Sequence, residues 1–204
     1  MSGKSHSLYR ILQGVSLIAA PVLGAAATFF WDEAGRYSAV AGTLIALGSV
    51  FWIHGLIALF DAIRVRLPVY AAIGLPVAVY GCFGGINFGL QGFYESVFGV
   101  SKQASLDALA AHPLAANLLL WWPGPLFPLS MFVLGIVLAW TRLAPRWNGV
   151  LVCVAAIAFP ASRIPRIEWV AHIVDVLLLV PFAYLGWLVI AGGLRPARRE
   201  PEPT

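Results

Sequence analysis

Apolar residues are gathered into six long runs, at positions 9–31, 38–62, 69–97, 118–140, 147–164 and 169–194. A helix that crosses a membrane needs about 20 mostly apolar residues, and it can close all of its backbone hydrogen bonds internally. Transmembrane strands would alternate apolar and polar positions, which these runs do not. The pattern predicts an all-α membrane protein, a six-transmembrane-helix bundle filling positions 1–194 as one domain. The turns at 32–37, 64–68, 141–146 and 163–168 are short, polar or proline-bearing. In the longer connection at 101–113, Ser105 is placed to cap a short helix reaching Asp107, Ala108 and Ala111, with Leu106 and Leu109 toward the lipid boundary. Positions 195–204 are rich in Pro, Arg and Glu, with nothing apolar to bury, and read as a disordered cytoplasmic tail.

Tryptophans mark where the runs leave the hydrocarbon. Trp121 and Trp140 lie 19 residues apart, and Trp169 and Trp187 lie 18 apart. At 1.5 Å per residue each pair covers about 27–29 Å, close to the hydrocarbon thickness.

Composition supports the same class. Of 204 residues, 60% are hydrophobic and 11% charged. Soluble domains carry roughly 25% charged residues, and a soluble fold this poor in charge would expose large apolar patches. The net charge of +4 does not point to nucleic acid, because the basic residues sit between the apolar runs, where they set topology. With the N-terminus inside, the cytoplasmic set is Lys4, Arg10, Arg64, Arg66, Arg142, Arg146, Arg195, Arg198 and Arg199, against Arg36, Lys102, Arg163 and Arg166 outside. That asymmetry favours both termini in the cytoplasm. The basic start and the small residues Ala25–Ala27 imitate a signal peptide, but the first run continues into Thr28-Phe29-Phe30-Trp31 and reads as a retained helix. Cys82 and Cys153 lie within apolar runs and read as small packing residues.

Charges inside spanning segments are costly, so each is a functional candidate. Asp61 is followed by Arg64 and Arg66 and reads as half of a local ion pair. Glu168, His172 and Asp175 are spaced i, i+4, i+7, within about a 60° arc of the last helix. Asn87, Gln91 and Glu95, spaced i, i+4, i+8 with Tyr94 beside them, form a polar stripe on the third helix. Both stripes fall in the outer half of their helices. Arg163 and Arg166 precede the last helix, and Asp32 and Glu33 follow the first at the same level. The simplest packing gathers these groups into an outward-facing polar pocket. His172, Asp175 and Glu95 would supply one nitrogen and two oxygens to a metal ion, or a carboxylate–imidazole pair for proton transfer. The same groups beside Arg163 would bind an anionic or zwitterionic small molecule. A purely structural network of ion pairs and amides accounts for the same pattern.

Other polar positions carry less. His54 reads as an interhelical hydrogen-bonding residue and His112 as a solvated loop residue; the depths of His54 and His172 do not suit the two faces of one haem. Pro123, Pro125 and Pro128 interrupt the entry of the fourth helix, and Pro160 and Pro181 read as kinks. Gly81, Gly84, Gly85 and Gly89 permit close helix approach and mark the third helix as central. There is no phosphate-cradling loop ending in Gly-Lys-Ser/Thr, no His-Glu-x-x-His and no Gly-x-Ser-x-Gly.

The stretch Phe159-Pro160-Ala161-Ser162-Arg163-Ile164-Pro165, leading to Pro181 and Leu185-Gly186, and the start from Leu12 to Gly24 with Ala20-Pro21, resemble the layout of a family of small polytopic bacterial membrane proteins grouped as a domain of unknown function. The resemblance implies six helices and a bacterial cytoplasmic membrane, with no activity attached. The expectation is therefore a multi-pass protein that binds a small ligand or ion as a sensor, transporter or accessory subunit. The alternatives are a membrane-embedded enzyme using His172 with Asp175 or Glu95, and a structural subunit of a larger complex. Its surroundings would be the lipid bilayer and an oligomeric or complex partner.

Overall fold

Residues 2–32 and 36–194 are described by a computed structural model. The expected tail at 195–204 and Glu33 lie outside the described residues. The elements are α1 (Ser2–Thr28), α2 (Ala39–Arg64), α3 (Pro68–Phe98), α4 (Lys102–Ala110), α5 (Pro113–Ala116), a π-helical turn (Asn117–Trp121), α6 (Pro123–Thr141), α7 (Arg146–Arg163) and α8 (Glu168–Ala191). Among the described residues there is no strand; one isolated antiparallel bridge, Trp31 to Tyr37, closes the α1–α2 loop.

Local chemistry sets the ends. Ser38 accepts the Ala41 amide at 3.1 Å and starts α2. Pro68 opens α3, where a missing N–H costs nothing. Gly99 (φ 66°) ends α3 and Gly192 (φ 76°) ends α8, both in the left-handed conformation that glycine tolerates. The short connecting helix is capped by Ser101, not Ser105: Ser101 accepts the Ala104 amide at 3.2 Å, four residues earlier than the sequence pattern placed the cap.

The prolines expected to interrupt the entry of the fourth helix do make it irregular, without ending it. One helix runs from Pro113 to Thr141, and the π turn absorbs the irregularity, with the Trp122 amide reaching back five residues to the Asn117 carbonyl at 2.9 Å. Pro123 has no N–H to give the preceding turn. The carbonyls stranded there take donors from α3: Tyr80 Oη donates to Leu118 at 2.6 Å, and Asn87 Nδ2 donates to Leu119 at 2.7 Å.

Among the described residues, five helices are long and apolar enough to cross a membrane: Ser7–Thr28, Ala39–Arg64, Pro68–Phe98, Pro113–Thr141 and Glu168–Ala191. The protein is accordingly a multi-pass membrane protein. The 18-residue α7 differs because Arg146 and Asn148 at one end, and Ser162 and Arg163 at the other, shorten its apolar stretch.

The long helices close a ring in the order α1, α2, α3, α6, α7, α8, with α8 packed back on α1. Lipid tails are as apolar as leucine, so helix association in a bilayer depends on close packing and polar contacts. Three interfaces use glycine against glycine. A Cβ on Gly186 would stand 2.5 Å from the Gly14 carbonyl oxygen, one on Gly89 2.6 Å from that of Gly42, and one on Gly149 2.5 Å from that of Gly135. Aromatic rings meet at the centre: Trp52 of α2 packs on Phe127 of α6 (ring centroids 5.6 Å) and Phe182 of α8 (4.4 Å), with Leu56, Met131 and Leu178 in the same core.

Candidate functional site

Asp175 lies two turns into α8 and is 3% exposed. An ionised carboxylate held away from water needs partners, and two arrive from other helices. The Arg163 guanidinium, in the last turn of α7, donates through Nη2 to Asp175 Oδ1. Thr28, the last residue of α1, donates to Asp175 Oδ2 at 2.7 Å. Arg163 Nη1 also donates to Thr28 Oγ1 at 3.1 Å, so the three side chains form a closed triangle tying together α1, α7 and α8.

Arg163 suits this place for further reasons. A cation at a helix C-terminus is favoured by the helix dipole. Its Cζ lies 5.5 Å from the Trp31 ring centroid and 5.4 Å from that of Phe159, within cation–π range. The side chain is 17% exposed, so one edge of the cluster reaches the surface. Beside it, Arg166 lies over the Tyr37 ring at 4.2 Å, and Tyr37 packs on Trp31 at 5.9 Å.

His172 and Glu168 are one turn apart on α8, with Nε2 and Oε1 3.6 Å apart. His172 turns to the Phe29 ring (centroids 4.3 Å), not to Asp175's other partners. The hollow next to it, about 360 Å³, is bounded by Ile173, Val176 and Leu177 and is apolar.

The second stripe lies elsewhere. Asn87 serves the π turn, Gln91 donates to Glu95 Oε1 at 2.8 Å, and Gln91 also reaches Ser105 of α4 at 3.3 Å. Helix α3 packs on α2 and α6, whereas α8 packs on α1 and α7, so the two stripes sit on different arcs of the ring. The single pocket expected to gather Asn87, Gln91, Glu95, Arg163, Glu168, His172 and Asp175 is thus two separate groups. Of these, Arg163 and Asp175 are brought together in the triangle, and Glu168 and His172 stay beside it. Among the described residues no three His, Cys, Asp or Glu side chains are gathered around one point, so Glu95 does not join His172 and Asp175 as a metal donor set.

Other assignments fall where the pattern put them. Arg64 donates to Asp61 at 2.6 Å within α2. Ser16 Oγ lies 2.8 Å from His54 Nδ1, linking α1 to α2. His112 is exposed, and Cys82 and Cys153 are free thiols.

Three contributors were not singled out from sequence. Thr28 sits at the end of an alanine-rich run, with only its hydroxyl to distinguish it. Tyr80 looks like an ordinary interfacial aromatic. Asn148 is fully buried and donates to the Pro181 carbonyl at 2.9 Å, joining α7 to α8; an amide in the first turn of an apolar run was the available signal. No protein-family model, curated protein or solved structure matches this chain.

Proposed function

We propose that the chain is a six-span, non-enzymatic protein of the bacterial cytoplasmic membrane with both termini in the cytoplasm. In this reading it is a structural or accessory subunit whose Arg163–Asp175–Thr28 triangle holds the outward end together. Taking α7 as the sixth crossing is supported by its place in the ring, packed along both α6 and α8. Orientation is supported by the Lys/Arg asymmetry of the whole sequence, nine basic residues on the side of the termini against Arg36, Lys102, Arg163 and Arg166 on the other.

One observation carries the functional reading. The axis of the ring is filled by Trp52, Phe127 and Phe182, and the buried charges of Asp175 and Arg163 are satisfied by each other. A carrier needs a substrate site near the midplane, and an enzyme needs an acid and a base converging on a cavity. The test is reconstitution of the purified chain in lipid vesicles with measurement of ion and small-solute permeability. Permeability equal to that of protein-free vesicles is expected, with Arg163→Gln and Asp175→Asn lowering thermal stability. A flux that Arg163→Gln abolishes at unchanged stability would overturn the reading.

A second reading, binding of a small anionic or zwitterionic molecule at the outward end, is favoured by Trp31. Its indole Nε1 is buried with no acceptor among the described residues, while its ring lies against Arg163. Donors grouped in this way suit a carboxylate. Acetate and glycine would then raise the melting temperature of the native chain but not of Trp31→Phe. An equal response from both proteins removes this reading.

A further inference from the structure

At the opposite end of the ring, the α6–α7 turn overhangs a hollow of about 610 Å³ against the end of α8, bordered by Arg142, Pro145, Arg146, Leu188 and Gly193. We propose that this hollow binds the phosphate of an anionic lipid headgroup from the adjoining leaflet.

The case begins with unbalanced charge. Arg142 and Arg146 are exposed, and neither side chain has a hydrogen bond or ion pair with a described residue. Their neighbours at this end are engaged: Arg64 pairs with Asp61, and Arg66 donates to the Thr141 carbonyl that ends α6. Arg142 holds a left-handed backbone (φ 54°), which turns the chain sharply and leaves Arg142 and Arg146 bordering one hollow. A third cation is near. Arg10 Nη1 lies 2.8 Å from where a Cβ at Gly192 would stand, next to Gly193 in the wall, and Arg10 Nε is buried without an acceptor among the described residues. The first turn of α7 starts at Arg146 after Pro145 with no side-chain cap, so its amides add to the positive potential.

The surroundings select a lipid over a soluble anion. Trp140, Trp147 and Trp187 are exposed, and Tyr184 bridges the last two, with ring centroids 5.0 Å from Trp147 and 5.7 Å from Trp187. Exposed tryptophan and tyrosine settle at the headgroup level of a bilayer. Leu188 gives the hollow one apolar wall, suited to a glycerol backbone whose chains descend past it. Basic pockets between transmembrane helices on the cytoplasmic side are where anionic headgroups bind. Naming the cytoplasmic leaflet rests on the proposed orientation; the site itself does not.

The test uses the full chain in nanodiscs of phosphatidylcholine, with and without phosphatidylglycerol, and reads both melting temperature and the lipid retained in native mass spectrometry. Phosphatidylglycerol is expected to stabilise the native chain and to be retained. Affinity should fall about fivefold for each arginine replaced and about 25-fold for Arg142→Gln with Arg146→Gln. Arg142→Lys with Arg146→Lys should keep most of the effect, and Arg36→Gln at the far end should change nothing. If the double glutamine variant does not fold, the single Arg146→Gln and the lysine pair decide the matter. Equal retention by the native and Arg146→Gln chains would overturn the proposal. So would glycerol 3-phosphate reproducing the stabilisation in pure phosphatidylcholine discs, because the hollow would then be a site for soluble phosphate esters.

Discussion

Replacing Asp175 by asparagine keeps the shape of the side chain and removes the charge on which two donors converge. Arg163, at 17% exposure, still has the asparagine Oδ1 and the Thr28 hydroxyl to donate to, but the charge pair is gone and the Thr28 hydroxyl faces an NH2 where it had an acceptor. At about 4 Å and an effective dielectric near 20, the lost Coulomb attraction is about 4 kcal/mol. Two corrections reduce it. The charges no longer have to be desolvated as a pair, and a chain unfolded within the membrane finds other partners, so measured interhelical polar couplings average below about 1 kcal/mol. The expected cost of Asp175→Asn is therefore about 2–3 kcal/mol, or roughly 5–10 °C in melting temperature for a chain of this length. Arg163→Gln should cost about 2 kcal/mol and Thr28→Val about 1 kcal/mol. The double variant Arg163→Gln/Asp175→Asn should cost less than the sum by about 1–2 kcal/mol, because each single change already breaks the same pair. Reversible unfolding in mixed detergent micelles measures all four. Strict additivity, or a cost below about 0.5 kcal/mol for Asp175→Asn, would show that the triangle does not hold the three helices together.

Further predictions concern packing and the π turn. Gly149→Ala puts a Cβ 2.5 Å from the Gly135 carbonyl oxygen and should cost about 1–3 kcal/mol by the same unfolding assay. Gly24→Ala meets no described residue within 4 Å and should stabilise the chain by about 0.5–1 kcal/mol through helix propensity alone, so destabilisation there would contradict the α1–α2 packing. Asn87→Leu strands the Leu119 carbonyl and should cost about 1–2 kcal/mol, with Tyr80→Phe close behind; both unchanged would mean that the carbonyls find other donors. His172→Ala should move stability by less than about 0.5 kcal/mol, since its ion-pair contact with Glu168 is at 3.6 Å, and elemental analysis should find no metal that the substitution removes.

Much of the architecture is legible in the sequence. A segment in hydrocarbon must satisfy its own backbone, so length and apolarity alone define each spanning helix. The turns, the belt tryptophans and the local pair Asp61–Arg64 follow from spacing along one chain. So does the grouping of Glu168, His172 and Asp175 on one face, because a helix repeats every 3.6 residues wherever it sits. The same reasoning marked the irregularity at Pro123 but not how it is accommodated. A missing N–H marks where a regular helix loses a bond, but whether the helix breaks depends on donors elsewhere, and Tyr80 and Asn87 of α3 supply them.

Only the tertiary structure decided which faces meet. Two polar stripes at one depth look alike in sequence, and nothing in either names its neighbour. The order of helices around the ring places α3 against α2 and α6, and α8 against α1 and α7, which separates Glu95 from Asp175 and delivers Thr28 in its place. That order is set by which small residues oppose each other, as Gly14 does Gly186 and Gly135 does Gly149, and by side-chain bonds between segments as distant as Thr28 and Asp175. Lipid provides no hydrophobic drive to bring one helix against another, so the choice of neighbour rests on surface fit and on pairing of the few polar groups, and both are properties of two helices together.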